Sequence, residues 1–378
     1  MPWQEVKTVS LRSEFVQLAE KASPSFSELC RRFGISRKTG YKWLERYQQN
    51  GPAALEDRSR RPQRSPGKTP ENIETVVLAC RERYPYWGGR KLRRVLEKQG
   101  YTDLPAPSTI TAILRRHDKL LTPTQPATAT SRFEHAAPND LWQMDFKGHF
   151  QTGRQRCHPL TVLDDHSRFS LCLKACEDQR AETVREALTT TFRLYGVPRR
   201  MTMDNGSPWG GGGHSRYSQL AVWLIEQGIT VGYSRPYHPQ TQGKDERFHR
   251  TMDVELLGRR HFGSLQTCQH AFKLWRQQYN HLRPHEALGM EPPVSRYIVS
   301  ERPYQEHRPP YEYGDIDHVR RVSRDQGACF QGYRVQVGLP FVGRQIAIRP
   351  TLEDGIFTLH FCHQQIGRID LRELKRVR

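Results

Sequence analysis

The sequence predicts a multidomain protein with an all-α N-terminal part, a central α/β domain and a small β-barrel at the C-terminal end. Three observations carry this prediction. Apolar residues recur at helical spacing through residues 1–120, and strand and helix patterns alternate from residue 141 to about 260. After residue 302 only short β patterns separated by Gly turns remain. A length of 378 residues accommodates about two to four domains.

Residues 1–57 are expected to form a helix-turn-helix DNA-binding domain. A helix over 9–22 precedes a short helix over 27–33, Gly34 breaks that helix, and Ser36 is a suitable N-cap for the next one. An ordinary helical hairpin is the alternative, and the basic surface of the last helix favours DNA. That helix is expected to bury Tyr41 or Leu44 and to present Arg37, Lys38, Thr39 and Lys42.

A Pro-rich basic linker over 58–69 leads into a second helix-turn-helix, winged-helix-like domain over 70–121. Three helical patterns occupy this second domain, and the last begins at Ser108 after Pro107. The linker can follow phosphates or enter a minor groove through Arg58, Arg60, Arg61 and Arg64. The candidate DNA contacts of the second domain are Ser108, Thr109, Thr111, Arg115 and Arg116.

The charge balance indicates a nucleic-acid partner. The formal net charge is +19, and residues 1–120 carry 24 Lys and Arg against 13 Asp and Glu. Such an excess attracts polyanions and releases counterions from them. A basic protein that is merely soluble is the less favoured alternative at this magnitude.

Compartment signals favour the cytoplasm. No run of 18 apolar residues is present, and the first ten residues lack the apolar stretch of a signal peptide. The eight cysteines contain no CxxC pair, so we expect reduced, mostly buried thiols, and their spacing gives a zinc site no support.

A linker over 122–138 precedes the central domain, residues 139–300. Residues 141–150 alternate as in a strand, and two further strands flank the turn at 164–167. Helix, strand, helix, strand and two helices then follow in order, which indicates an α/β sheet. Residues 301–378 contain the β runs of the expected small barrel.

Three acids occupy comparable places in this central domain. Asp145 lies in the first strand, Asp204 ends a later strand, and Glu246 lies on a helix after the last strand. Carboxylates converging from separate elements repel one another unless cations bind between them, and oxygen ligands suit Mg²⁺ or Mn²⁺. Three acids among forty are, by themselves, a weak signal.

Five ordered motifs make the signal specific. The sequence closely resembles bacterial insertion-sequence transposases of the D,D,E superfamily, which includes the retroviral integrases. The resemblance covers nearly the whole chain and lies in WQMDFKG, LDDHSRF, MTMDNGSPWG, RPYHPQTQGKDERFHRT and YNHLRPHEALG.

The resemblance implies a ribonuclease-H-like core with a mixed five-stranded sheet and a catalytic, metal-binding triad of Asp145, Asp204 and Glu246. It also implies Mg²⁺, with Mn²⁺ possible, as two ions per active site. The implied activity is that of a DNA transposase, which binds terminal inverted repeats, cleaves the element ends and joins their 3′-hydroxyls to target DNA. Joining two ends implies a homodimer or higher oligomer on double-stranded DNA. The resemblance also implies a bacterial protein associated with the nucleoid.

The sequence departs from the retroviral pattern in two places. Asp204 and Glu246 are separated by 41 residues, and the extra length contains four consecutive glycines, Gly210 to Gly213, which we expect to form a flexible loop. The same insertion is a feature of one branch of these transposases. The His/Cys zinc module of retroviral integrases is absent, and helix-turn-helix patterns take its place.

Residues near the triad have competing interpretations. Asp164 and Asp165 are expected to be turn formers, with tuning of a metal site as the alternative. A helical wheel turns Asp245 toward the core with Phe248, and places Glu246 on the face of His249, Arg250 and Asp253. His238 either contacts phosphate or orders its loop, and RPHEALG is expected to be structural, with Glu286 outside the triad. A solvated face or contacts to the DNA backbone are the two interpretations of Lys244, Arg247 and Arg250.

Two other functions compete with transposition. A domesticated, non-catalytic DNA-binding regulator would need a broken triad, and all three acids are present. A nuclease of the same fold that cuts without joining would keep the triad; the two N-terminal domains and the β-rich tail favour transposition.

Overall fold

The computed structural model describes residues 8–21, 25–57, 67–120, 134–211, 215–234, 243–258 and 260–374. It divides into two compact units, with the boundary between Lys68 and Thr69. Among the described residues, no helix is both long and apolar enough to cross a lipid bilayer. All eight cysteines are free thiols, and Cys329 is exposed while the others are buried.

The first unit is a helix-turn-helix domain of three helices, α1 (Thr8–Glu20), α2 (Phe26–Arg32) and α3 (Arg37–Asn50). The side chain of Ser36 caps α3 by accepting the Thr39 N–H at 3.2 Å, as predicted. A side chain at Gly40 would meet the Cys30 Sγ at 2.8 Å, so glycine allows α2 and α3 to cross closely.

The buried face of α3 differs from the one expected. Trp43 is buried and Leu44 is half-buried, whereas Tyr41 is 58% exposed. Tyr41 instead stacks on the Phe26 ring at 4.1 Å from the surface of the domain. The close crossing at Gly40 turns Trp43 inward and Tyr41 outward.

The second unit begins with another three-helix domain, comprising α4 (Glu71–Arg83), α5 (Gly89–Lys98) and α6 (Pro107–Arg116). Its core contains Val77, Trp87, Leu92, Ile110 and Ile113. The described residues 67–120 contain no strand, so the winged-helix character expected for this domain is not seen there.

The central domain is a mixed sheet with helices on both faces. Its strands are β1 (Leu141–Phe146), β2 (Phe150–Thr152), β3 (Gln155–Asp164), β4 (Ser170–Cys176), β5 (Arg200–Met203) and β6 (Thr230–Tyr233). The order is β4-β3-β1-β5-β6, with β1 antiparallel to β3 and parallel to β5. The short β2 pairs with the start of β3 and adds a sixth strand to the five expected.

Four helices cover this sheet, α7 (Ala181–Tyr195), α8 (Gln219–Glu226), α9 (Gly243–Met252) and α10 (Leu265–His281). A π-helical turn, Asp253–Leu257, continues α9. Helices α7 and α8 pack on the face that carries Trp142 and Met144, and α9 and α10 pack on the opposite face. Because side chains alternate along a strand, Gln143 and Asp145 point toward α9.

Amide side chains close both edges of the sheet. At the β4 edge, Asn280 of α10 accepts the Ser170 N–H at 2.8 Å and donates to the Ser170 carbonyl at 2.9 Å. Gln269 makes the equivalent pair of bonds with Ala175 and Leu173. At the β6 edge, the side-chain amide of Gln364 bonds both the N–H and the carbonyl of Val231. Side chains therefore pair several of the backbone groups that these edge strands would otherwise expose.

The C-terminal strands are β7 (His318–Arg321), β8 (Gly327–Phe330), β9 (Tyr333–Gln336), β10 (Gln345–Pro350), β11 (Ile356–Phe361) and β12 (Gln364–Asp370). They form a four-stranded sheet in the order β12-β11-β10-β7 and a separate β8-β9 hairpin.

The expected barrel does not close in the part of the chain that the structure describes. The apolar face of the four-stranded sheet, with Ile346, Ile348 and Phe361, belongs to the same buried cluster as α8 and the central sheet. Since α8 and the central sheet already bury this face, closing the sheet into a barrel would bury no further apolar surface there. The Gln364 amide on β12 bonds both the N–H and the carbonyl of Val231 in β6, at 2.8 and 2.9 Å, and fixes the two sheets together.

Candidate active site

The three predicted acids lie on adjoining elements at one end of the central sheet. Asp145 is half-buried on β1, and Asp204 follows the last residue of β5, the parallel neighbour of β1. Glu246 lies in the exposed first turn of α9, the helix that packs on the Asp145 face. The Asp204 Oδ1 accepts the Gly206 N–H at 2.9 Å, which orients this carboxylate at the start of its loop.

The electrostatics of Asp145 show that the three carboxylates are neighbours. Burial raises the pKa of Asp145 to about 6, and the charges of Asp204 and Glu246 add to the rise. Across the described residues, no three His, Cys, Asp or Glu side chains lie close enough together to hold a metal ion. Asp204 and Glu246 are thus near enough to affect Asp145, but the three carboxylates are not gathered into one ligand set.

His249 is a site residue that the sequence prediction left out. Its Nε2 lies 2.9 Å from the Thr161 Oγ1, and its Nδ1 lies 4.0 Å from the Asp145 Oδ2. Burial and the charge of Lys147 lower the pKa of His249 to about 4, so the ring is neutral at neutral pH. The helical wheel, which put His249 on the face of Glu246, contained the signal that identifies it.

Asp245 faces inward, as the helical wheel predicted. It is only 1% exposed, and neither carboxylate oxygen has a hydrogen-bond partner in the part of the chain that the structure describes. Burial, followed by the charges of Asp145, Asp165 and Glu246, raises its pKa well above its usual range. A buried carboxyl without a partner is destabilising when ionised, so Asp245 adds to the electrostatic cost of the site.

The two acids of LDDHSRF are fully buried and have different partners. Asp164 accepts the N–H groups of Asn139 and Ser167 at 2.7 and 2.8 Å, as a turn former does. Asp165 accepts the His135 N–H through Oδ2. Its Oδ1 lies 2.5 Å from the Nζ of Lys244 on α9. Lys244 thus forms an ion pair inside the protein and is not part of a solvated face.

The loop after Asp204 is held by specific contacts. Trp209 is buried and stacks on Phe146, the residue after Asp145, with ring centroids 5.3 Å apart. Side chains at Gly210 and Gly211 would each meet a backbone oxygen at 2.3 Å. The prediction of a flexible loop is therefore wrong for these two glycines, because close packing against neighbouring backbone requires glycine at both positions. Gly212 and Gly213 lie outside the described residues.

The remaining DNA-contact candidates fall into four groups, on α9, on α3, on α6 and outside the described residues. Arg247 and Arg250 are exposed on α9, beside Glu246. In α3, Arg37, Lys38 and Lys42 are exposed, while Thr39 is half-buried. The candidates outside the described residues are Arg58, Arg60, Arg61, Arg64 and His238.

The candidates on helix α6 differ in whether they have partners within the domain. Ser108, Thr109 and Arg115 are exposed. Thr111 donates its hydroxyl to the Pro107 carbonyl, and Arg116 lies 2.5 Å from Glu74 in an ion pair. The first three can therefore reach a ligand, whereas the last two have partners within the domain.

The RPHEALG motif is a structural junction, as expected. Arg283 forms a buried ion pair with Glu255 at 2.8 Å. Glu286 is 3.7 Å from Arg90 of α5, and Glu291 pairs with Lys98 of the same helix at 2.5 Å. These contacts attach the second helical domain to the central domain and account for Glu286 without a place in the triad.

Family models match the chain from end to end. The matches are a helix-turn-helix domain over 12–63, a homeodomain-like domain over 39–114, integrase core domains over 135–239 and 227–293, and an IS481 family transposase C-terminal domain over 317–376.

Two relatives come from insertion elements. An uncharacterized 39.2 kDa protein of insertion element IS476 from Xanthomonas euvesicatoria is 30% identical over 157 residues, covering 42% of this chain and 44% of that protein. A 31.7 kDa protein of insertion element IS407 from Burkholderia multivorans is 28% identical over 153 residues, covering 40% and 53%. Over these regions the chain is similar to proteins of bacterial insertion elements, and its matched domains are integrase core domains and an IS481 family transposase C-terminal domain. It spans about half the length of these curated relatives.

Solved structures of retroviral integrases are more distant from this chain. The simian T-cell lymphotropic virus intasome with a PP2A regulatory subunit has 15% identity and a TM-score of 0.37, covering 78% of this chain and 97% of that one. The HTLV-2 integrase catalytic core with magnesium has 14% identity and a TM-score of 0.34, covering 43% and 99%. At this level of similarity they add nothing to the family match.

The buried acid Asp245 predicts a characteristic pH dependence of stability. Because folding raises its pKa, its favourable contribution is complete below the unfolded pKa of about 4 and is lost as pH rises through the folded value. Relative to wild type, Asp245→Asn should therefore gain thermal stability progressively from pH 5 to pH 8. Melting curves of the full chain in EDTA measure this, with Asp354→Asn on the surface as the control. Parallel curves for Asp245→Asn and wild type would refute the assignment of a buried, ionising carboxyl.

Proposed function

We propose that the protein is a metal-dependent DNA transposase. It binds the terminal inverted repeats of its insertion sequence, cleaves phosphodiester bonds at the element ends, and joins the 3′-hydroxyls to target DNA. The observation that carries this proposal is the placement of Asp145, Asp204 and Glu246 on β1, after β5 and on α9, three adjoining elements of a region that matches integrase core domains. Two helix-turn-helix domains and the net charge of +19 supply the means to hold DNA.

The donor chemistry of the triad fits a divalent cation. All three groups are carboxylates, the ligands preferred by Mg²⁺ and Mn²⁺, and their repulsion is what a cation between them would relieve. We therefore assign Asp145, Asp204 and Glu246 as the residues that hold Mg²⁺ or Mn²⁺, two ions per site. When bound, such ions activate a water or a 3′-hydroxyl and stabilise the leaving oxygen of the phosphodiester.

The surrounding residues prepare the triad for this role. His249 is neutral, so it borders Asp145 without cancelling the negative charge that attracts a cation. The Trp209–Phe146 stack ties the loop of Asp204 to the strand of Asp145. Arg247 and Arg250 lie exposed beside Glu246, where they can contact the backbone of DNA that enters the site.

The helical domains and the core have separate tasks in this proposal. Exposed residues of α3 and α6 are the proposed contacts to the terminal repeats. Since each site processes one strand end, a homodimer or higher oligomer is required to join two ends. The α5 contacts to Glu286 and Glu291 hold the second helical domain on the same unit as the triad.

Loss of one triad carboxylate should abolish chemistry while leaving DNA binding intact. We expect Asp204→Asn and Glu246→Gln to lower both end cleavage and strand transfer by at least about 100-fold, because the remaining acids cannot hold the cations in place. The assay uses labelled duplexes carrying the terminal repeat, with Mg²⁺, and Glu312→Gln on the surface is the matched control.

Three outcomes separate the proposal from its competitors. Equal strand transfer by wild type and Asp204→Asn contradicts catalysis by the triad. Cleavage without joining indicates a nuclease, and sequence-specific binding with no chemistry in wild type indicates a regulator.

Two adjacent arginines of α6 should differ in their effect on DNA binding. Arg115 is exposed, so Arg115→Ala should weaken binding to the terminal repeat and reduce the slope of log K against log salt by about 1. Arg116 pairs with Glu74, so Arg116→Ala should lower thermal stability more than affinity. Fluorescence anisotropy at several salt concentrations tests both variants. An unchanged affinity and slope for Arg115→Ala would remove α6 from the proposed interface.

A further inference from the structure

Asp165 contacts both elements that carry Asp145 and Glu246. It lies in the turn after β3 and is fully buried. Its Oδ1 accepts a hydrogen bond from the Gln143 Nε2 at 2.8 Å and lies 2.5 Å from the Lys244 Nζ. Gln143 precedes Asp145 by two residues on β1, and Lys244 precedes Glu246 by two residues on α9.

The spacing by two residues matters on β1. Side chains of a strand alternate, so Gln143 and Asp145 point to the same face of the sheet. A bond from Gln143 to Asp165 therefore fixes the face of β1 from which the Asp145 carboxylate projects. Asp165 also donates its backbone N–H to the Leu141 carbonyl at 3.0 Å, so the turn is bound to β1 by main chain and side chain.

Lys244 performs the corresponding task at the start of α9. Its Nζ donates to the Asp165 backbone carbonyl at 3.1 Å, in addition to the ion pair with the carboxylate. Among the described residues, the buried Asp245 carboxylate in the same helical turn has no hydrogen-bond partner. The ion pair and the hydrogen bond of Lys244 join this turn to Asp165.

The charge of the pair also suits the site. An unpaired carboxylate as deeply buried as that of Asp165 would be strongly destabilised, and Lys244 supplies the compensating charge. The lysine side chain is only 14% exposed, and its ion pair is with Asp165, which is outside the triad.

We propose that Asp165 and Lys244 are positioning residues, which hold the first turn of α9, and with it Glu246, against the strand that carries Asp145 for metal-dependent phosphodiester chemistry. This inference rests on the proposed function. It replaces the expectation that Lys244 contacts the DNA backbone, and it gives Asp165 a task that the turn-forming Asp164 does not share.

The test compares Asp165→Asn, Lys244→Met, the double variant and Lys244→Arg in the full-length protein, using the terminal-repeat duplex as substrate. Each of the first two should lower the cleavage rate at saturating DNA by about 10- to 100-fold, since small displacements of a catalytic group have effects of this size. Each should also raise the Mg²⁺ concentration needed for half-maximal rate, while the Kd for the duplex stays within about twofold.

Two further comparisons test whether Asp165 and Lys244 act through their contact with each other. The double variant should be no slower than the slower single variant, because both changes remove one interaction. Lys244→Arg keeps the charge and the donors and should recover most of the rate. A loss of fold alone would change the melting temperature without shifting the Mg²⁺ requirement, and Lys273→Met on the exposed face of α10 controls for removal of a lysine.

The contrary results are distinct. Wild-type rates and Mg²⁺ dependence in both single variants overturn the inference, provided that wild type cleaves. Weaker DNA binding with a smaller salt slope in Lys244→Met, together with a wild-type rate in Asp165→Asn, returns Lys244 to the DNA backbone. If either variant melts below the assay temperature, Lys244→Gln is measured instead, and the same Mg²⁺ shift is required. A wild-type protein without any cleavage contradicts the proposed function itself.

Discussion

Mutual repulsion among acids at one end of the central sheet is the constraint on which the rest of the site depends. Asp145, Asp204, Glu246 and the buried Asp245 occupy adjoining elements, and burial raises the pKa of Asp145 to about 6. Such a cluster persists only when its supporting elements are held firmly in place. The central position of β1, between β3 and β5, supplies bonds on both sides of the strand that carries Asp145.

The sheet gains further rigidity from its closed edges. Side chains of α10 satisfy the backbone of β4, and the Gln364 amide satisfies Val231 of β6. Both edges would otherwise offer unpaired backbone groups to other chains. The C-terminal sheet is consequently a fixed part of the core, and its apolar face is shared with the cluster that supports β1.

Local sequence patterns predict much of the fold. The features that the sequence did not predict depend on contacts between residues far apart in the chain. The Ser36 cap, the strands around the LDDHSRF turn and the inward face of Asp245 each depend on a few neighbouring residues. Sequence alone could not show that Tyr41 stacks outward, because Gly40 sets that helix crossing. The open C-terminal sheet depends on its cover by α8, and the Asp165–Lys244 pair joins residues far apart in the chain. The roles of the triad and of the DNA contacts stay predictions.

Metal binding tests the central claim most directly, without any need for the DNA sequence. In calorimetric titrations of the metal-free protein, wild type should bind Mn²⁺. Its apparent affinity should rise as pH increases through about 6, where Asp145 loses its proton. Proton release, measured in buffers of different ionisation enthalpy, should be largest below that pH, and Asp145→Asn should remove the binding. Absence of Mn²⁺ binding by wild type, or equal binding by Asp145→Asn, would contradict a metal site at this triad.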